Sequence, residues 1–190
     1  PFRVEEGIQP IEAKTAIMWI LKTLYSEQWS KLSMETVLEN TLQLLLLADN
    51  PTPRDIRLLL LDDKFRQKLI DKAKTRADIS VSLLDYWVKQ YNPLSPSKKD
   101  DRNQPVFNRL GALLNSPYME LMTCHPKGLP FRQLINDKAI VLVDLKGNAI
   151  RGEVGTLGTI LLEQYYLGCV GLGELTGKDV IPKLFPGLLF

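Results

Sequence analysis

Apolar residues recur at helical spacing through the first 92 residues, and no alternating run interrupts them. Ile17, Ile20, Leu21, Leu24 and Tyr25 follow the i, i+3, i+4, i+7, i+8 pattern, which predicts an amphipathic helix over Ile11–Ser26. Ser33 is placed to cap a second helix reaching about Ala48, and its Leu44–Leu47 run is apolar all round. Asp49-Asn-Pro-Thr-Pro53 ends it. Thr52, Pro53 and Asp55 then form an N-cap, a first-turn proline and an N3 carboxylate, and Asp62-Asp63 opens a further helix to about Thr75. Leu83, Leu84, Trp87, Val88 and Tyr91 continue the helical stripe. Such a chain is expected to bury its apolar faces helix against helix.

Asn92–Pro105 holds three prolines and a cluster of charges around one large apolar residue, Leu94, and reads as a linker. Helix is expected again over Val106–Asn115, after Ser116-Pro117, and over about Pro130–Asn136. The pattern then changes. Ala139-Ile-Val-Leu-Val-Asp-Leu145 is continuous, apolar and β-branched, as in a strand buried on both faces. A helix over about 154–173 follows, and Leu188–Phe190 reads as the start of a second strand. The expected fold class is therefore mainly α leading into α/β, with an all-helical domain over 1–117 and part of a parallel sheet within 118–190.

Composition narrows the chemistry. Cys124 and Cys169 are the only cysteines and His125 the only histidine, which excludes a disulfide scaffold, a four-cysteine zinc site and HExxH. A net charge of +2 gives no globally basic surface. Mean hydropathy is −0.07, and the longest apolar stretch contains Glu163 and Gln164, so a membrane span is not expected. Gly173-Glu-Leu-Thr-Gly177-Lys178-Asp179 has three residues between its glycines where a phosphate loop has four, and Asp179 replaces the magnesium-binding hydroxyl. No ATP binding is expected there. Gly152, Gly155 and Gly158 match no dinucleotide fingerprint and are expected to permit close helix–sheet approach. The opening at Pro1 and the apolar close at Phe185–Phe190 suggest a piece of a longer protein.

Two sets of residues remain as functional candidates. Lys64, Lys68, Lys72 and Arg76 are spaced by four, which stacks them on one helix face suited to a nucleic-acid backbone. A solvated face is the plainer reading, since no aromatic residues are interleaved for base stacking. Asp144 and Lys146 end the expected strand, where open α/β sheets place ligands, and Arg151 follows in the next loop.

Three stretches resemble a known family. They are Trp29 with Glu35-Thr-Val-Leu-Glu-Asn-Thr-Leu-Gln-Leu-Leu-Leu46, then Leu58-Leu-Leu-Leu-Asp-Asp-Lys-Phe-Arg66, then Asn108-Arg-Leu-Gly-Ala-Leu-Leu-Asn-Ser-Pro117 followed by Phe131 and Ala139–Gly147. Together they resemble the middle of conjugative DNA-transfer ATPases, the type IV coupling proteins and their FtsK/HerA-like P-loop relatives. In that family a helical domain is inserted into a RecA-like motor between the Walker A and Walker B strands. The resemblance implies a parent that hydrolyses ATP with magnesium to translocate DNA. It further implies homo-oligomeric, hexameric motor subunits, partners among secretion proteins, and a cytoplasmic location with any membrane association through parts outside this segment. The segment itself would contribute substrate recognition, binding DNA or nucleoprotein, and a piece of the motor sheet. No catalytic, cofactor or metal residue carries over. The alternative is a free-standing helical module that binds a protein or DNA and has no ATPase role.

Overall fold

The computed structural model describes residues 32–125, 128–146 and 154–176, together with residues 14, 15, 17, 18, 21 and 22. Those six are helical where helix is expected, and Ile17, Met18 and Leu21 lie in the core. The next helices are α1 (Leu32–Leu45), α2 (Pro53–Leu61) and α3 (Asp63–Lys74). Between α1 and α2 the chain turns through Asn50, whose φ of 52° suits a short polar side chain. Thr52 then closes a capping box: its backbone N–H and hydroxyl both donate to Asp55 Oδ2 at 2.8 Å. Asp62 serves two helices at once. Its backbone N–H bonds back to the Leu58 carbonyl at the end of α2, and its carboxylate accepts from the N–H groups of Lys64 and Phe65 at the start of α3.

Helix α4 (Val81–Asp85) is capped by Ser80 and passes into a π-helical turn, Tyr86–Tyr91, closed by Asn92 N–H to Trp87 O at 3.0 Å. The wider i, i+5 spacing turns Tyr86, Trp87 and Tyr91 all inward, where they meet as edge-on or tilted ring pairs. Burial pushes the Tyr86 phenol up to about 12, against the opposing charge of Arg102. Helix α5 (Pro96–Leu114) and α6 (Pro117–Thr123) complete the main bundle. Its core joins Met34, Leu38, Leu42 and Leu45 of α1 to Ile56 and Leu59 of α2, Leu69 and Ile70 of α3, and Val106, Leu110 and Leu113 of α5. A smaller cluster forms where Phe131 and Ile135 of α7 (Phe131–Asn136) meet Cys169 of α8 (Val154–Thr176).

Two expectations are corrected. The stretch read as a linker, 92–105, is helical from Pro96 onward. Ser95-Pro96 repeats the extended-cap-plus-proline start seen at Ser116-Pro117; Lys98, Asp100 and Asp101 are exposed on α5, Lys99 and Arg102 are half-buried, and Asn103 is buried. Pro105 lies inside the helix without ending it.

The second correction concerns fold class. Among the described residues there is no strand and no sheet, so the α/β and RecA-like parallel-sheet assignment fails and the described fold is all-helical. Residues 139–146 are irregular, and Ile140 and Leu142 are 89% and 90% exposed. A β-branched run favours an extended backbone, but a strand exists only with a neighbour to share its hydrogen bonds. The other expected strand, 188–190, lies outside the described residues. Helix over 154–173 is found, extending to Thr176.

Candidate nucleic-acid interface

Helix α3 is the platform. Arg66, Leu69, Ile70 and Ala73, at i, i+3, i+4 and i+7, form its buried face. Lys64, Lys68, Lys72 and Arg76 are all exposed, and the first three project from the opposite side of the same helix. The expected stripe is therefore present in space. Its charges are not equally available. Arg76, just past the helix, is held by Asp78 through Nε–Oδ1 at 2.9 Å and Nη2–Oδ2 at 2.7 Å. This pairing holds the Asp78 carboxyl below its ordinary range. Lys72 Nζ lies 3.5 Å from Asp49 Oδ1, a long and exposed contact. Neighbouring Lys74 is paired with Asp71 at 3.0 Å. Lys68 makes no ion pair with any described residue, and Lys64 stands beside the capping carboxylate of Asp62. The usable row is thus Lys64, Lys68 and Lys72, about 6 Å apart along the axis at four residues per step.

Arg66 belongs to the same basic cluster in sequence but not in space. It is 2% exposed and reaches back to the end of α2. Nη1 donates to the carbonyls of Leu59 at 2.9 Å and Leu60 at 3.3 Å, and Nε donates to Asn92 Oδ1 at 2.9 Å. Nη2 pairs with Asp63, and the guanidinium lies 5.1 Å from the Tyr91 ring centroid. Tyr91 in turn shares its one hydroxyl proton between Asn103 Oδ1 at 2.9 Å and the Leu60 carbonyl at 3.2 Å. Arg66 thus satisfies carbonyls that a helix C-terminus leaves bare and ties α2, α3 and the π turn together, and Tyr91 extends the network to Asn103 of α5. Desolvation pulls the Arg66 pKa down from its usual value, partly opposed by Tyr91 and Asp62.

The remaining candidates do not converge on this face. Asp144 and Lys146 are exposed at the end of the apolar run, where Asp144 Oδ1 accepts from the Lys146 backbone N–H at 2.8 Å. Without a sheet they mark no sheet-edge ligand site. Arg151 lies outside the described residues. His125 is exposed and Cys124 half-buried, and among the described residues no group of three His, Cys, Asp or Glu side chains could hold a metal ion. Gly173 lies inside α8, and 177–179 lie outside the described residues.

Sequence reasoning placed close glycine packing at 152, 155 and 158, against a sheet. Gly168 is the glycine with that role, and its neighbour is a helix: a Cβ there would stand 3.1 Å from Ile135 Cδ1 and 3.2 Å from both Phe131 Cβ and Arg132 N. Gly155 has nothing within 4 Å, and the nearest atom for Gly158 is Leu145 Cδ1 at 3.6 Å. Gly152 lies outside the described residues. A cavity of about 210 Å³ between α7, α8 and residues 138–141 was not foreseen either. Its walls include Phe131, Ile135, Val141 and Tyr165, with Lys138 at one side.

No protein family, curated protein or solved structure matches the chain. No helix among the described residues is long and apolar enough to cross a membrane.

Proposed function

We propose that this chain is a substrate-binding segment of an ATP-driven DNA translocase of conjugation or type IV secretion, and that it contacts the transferred DNA or nucleoprotein through the outer face of α3. The observation that carries this reading is the row Lys64, Lys68 and Lys72, exposed on a helix whose opposite face is locked into the core by Arg66, Leu69 and Ile70. A row of cations on a helix already held in place suits a phosphate backbone because the spacing of their attachment points is set before binding. The resemblance of three stretches to conjugative ATPases supplies the biological setting, and ATP with magnesium belongs to the parent protein in that setting. Residues from the first two of those stretches meet in the core: Leu38 and Leu42 of α1 with Leu59 and Leu60 of α2, beside Arg66.

The test is DNA binding by fluorescence anisotropy with the triple variant Lys64→Ala, Lys68→Ala, Lys72→Ala. Loss of most of the affinity, with the far-UV circular dichroism unchanged, supports the reading. Undiminished binding removes α3 from it. A second reading, a helical protein-interaction module, draws on a different observation: the exposed apolar residues Ile140 and Leu142.

A further inference from the structure

The cavity between α7, α8 and residues 138–141 has no part in the DNA reading. Its volume is about 210 Å³, and Phe131, Ile135, Val141 and Tyr165 give it an apolar lining. The Phe131 and Tyr165 rings meet edge-on there, with centroids 6.2 Å apart. An apolar cavity of about 150 Å³ is large enough to take up benzene, so this one has room for a ring with a short tail. Phe131 and Ile135 are buried, whereas Lys138, Ala139 and Val141 are exposed, so solvent reaches the cavity from the 138–141 side.

Among the described lining residues, Lys138 alone is charged. It sits just past α7 with a φ of 53°, a left-handed conformation that glycine or asparagine adopts with less strain. The bonds that close the helix there are main-chain: the Lys138 N–H donates to the Ile135 carbonyl at 3.0 Å and the Ala139 N–H to the Leu134 carbonyl at 2.9 Å. Glycine would make them equally well, so the strain is carried by a residue whose side chain these bonds do not use. Its ammonium pairs with no carboxylate among the described residues. We propose that the cavity binds a small monocarboxylate with an apolar body of about one ring. The ring lies among Phe131, Ile135, Val141 and Tyr165, and the carboxylate pairs with Lys138 at the rim. A neutral ligand leaves the ammonium unused, and a second negative charge would meet an apolar wall.

None of these residues belongs to α3, so the proposal stands apart from the DNA reading. Its test is calorimetric titration of the full chain with phenylacetate and with phenylacetamide, which has the same ring and tail without the charge. Phenylacetate is expected to bind about tenfold more tightly, the margin of a hydrogen bond between charged groups. Lys138→Asn suits the left-handed backbone better than lysine does, so the circular dichroism is expected to stay unchanged. In that variant phenylacetate is expected to fall to the affinity of phenylacetamide, with the amide itself unaffected. Nuclear Overhauser contacts from the ligand ring are expected to the rings of Phe131 and Tyr165. No binding of phenylacetate, equal affinity for acid and amide, an undiminished preference in Lys138→Asn, or ligand contacts that miss Phe131 and Tyr165 would each overturn the proposal.

Discussion

Replacing Arg66 by alanine is the perturbation that most directly probes how the bundle holds α3 in place. The side chain is 2% exposed, so its removal opens the interior. The Leu59 carbonyl then loses its guanidinium partner, at a cost of about 1–3 kcal/mol for a buried group left bare. The Leu60 carbonyl keeps the Tyr91 hydroxyl and costs little. Loss of the contact with the Tyr91 ring adds roughly 0.5–2 kcal/mol, and the buried stem about 0.8 kcal/mol for each methylene. Relief from burying a cation offsets part of this. A net loss of about 3–5 kcal/mol remains, nearly all of it from the bare carbonyl and lost packing, since the charged partner Asp63 is 76% exposed. Against a typical domain stability of about 5–15 kcal/mol, that is a large fraction. Arg66→Lys keeps charge and stem, but a single ammonium cannot span Leu59, Leu60 and Asn92, so its expected cost is smaller, about 1–3 kcal/mol. Urea unfolding followed by circular dichroism reads both variants, with Lys68→Ala as a surface control within about 0.5 kcal/mol of wild type. An Arg66→Ala chain within about 1 kcal/mol of wild type would refute the reasoning.

Three further outcomes follow from the same geometry. The hydrogen bond from the Phe65 N–H, ahead of the charges of Lys64 and Arg66, lowers the pKa of the Asp62 carboxyl; the stability it contributes is present above its unfolded pKa of about 3.9 and lost as pH falls through the lower folded value. The urea midpoint of Asp62→Ala is therefore expected to fall below wild type at neutral pH, with the gap closing in acid. Gly168→Ala is expected to cost about 1–3 kcal/mol, because the new methyl meets Phe131 Cβ and the Arg132 backbone at 3.2 Å. Gly155→Ala, in open space on the same helix, is expected to stabilise by up to about 1 kcal/mol, and thermal unfolding compares the two.

The helical part was legible because its signals are local. Thr52-Pro53, Asp62 and Ser116-Pro117 state helix starts within a few residues, and each functions as a start in the fold. Ser95-Pro96 carried the same signal, but the charges after it weighed as linker composition; one face of a long surface helix is allowed to be that polar. Arg66 lies among the basic residues of α3 in sequence, but its place in the 66, 69, 70, 73 stripe puts it on the buried side. Asp71 and Asp78 lie close enough in sequence to foresee their pairing with Lys74 and Arg76, whereas the approach of Asp49 to Lys72 depends on how α1 packs against α3. The run 139–145 failed for a different reason. Its residues fit a strand, but pairing is a property of two segments, and one segment's composition cannot supply the other.

A salt titration of DNA binding with wild type and Lys68→Ala, on single-stranded and duplex DNA, tests the role of α3 most directly. Three lysines on three phosphates give a slope of log K against log salt of roughly −2.7 on duplex and −2.1 on single strands. Lys68→Ala is expected to make each slope shallower by roughly 0.9 and 0.7, and to weaken binding alike for all sequences. Identical slopes for the two proteins on both substrates would contradict a phosphate-binding α3 and leave its lysines as a solvated face.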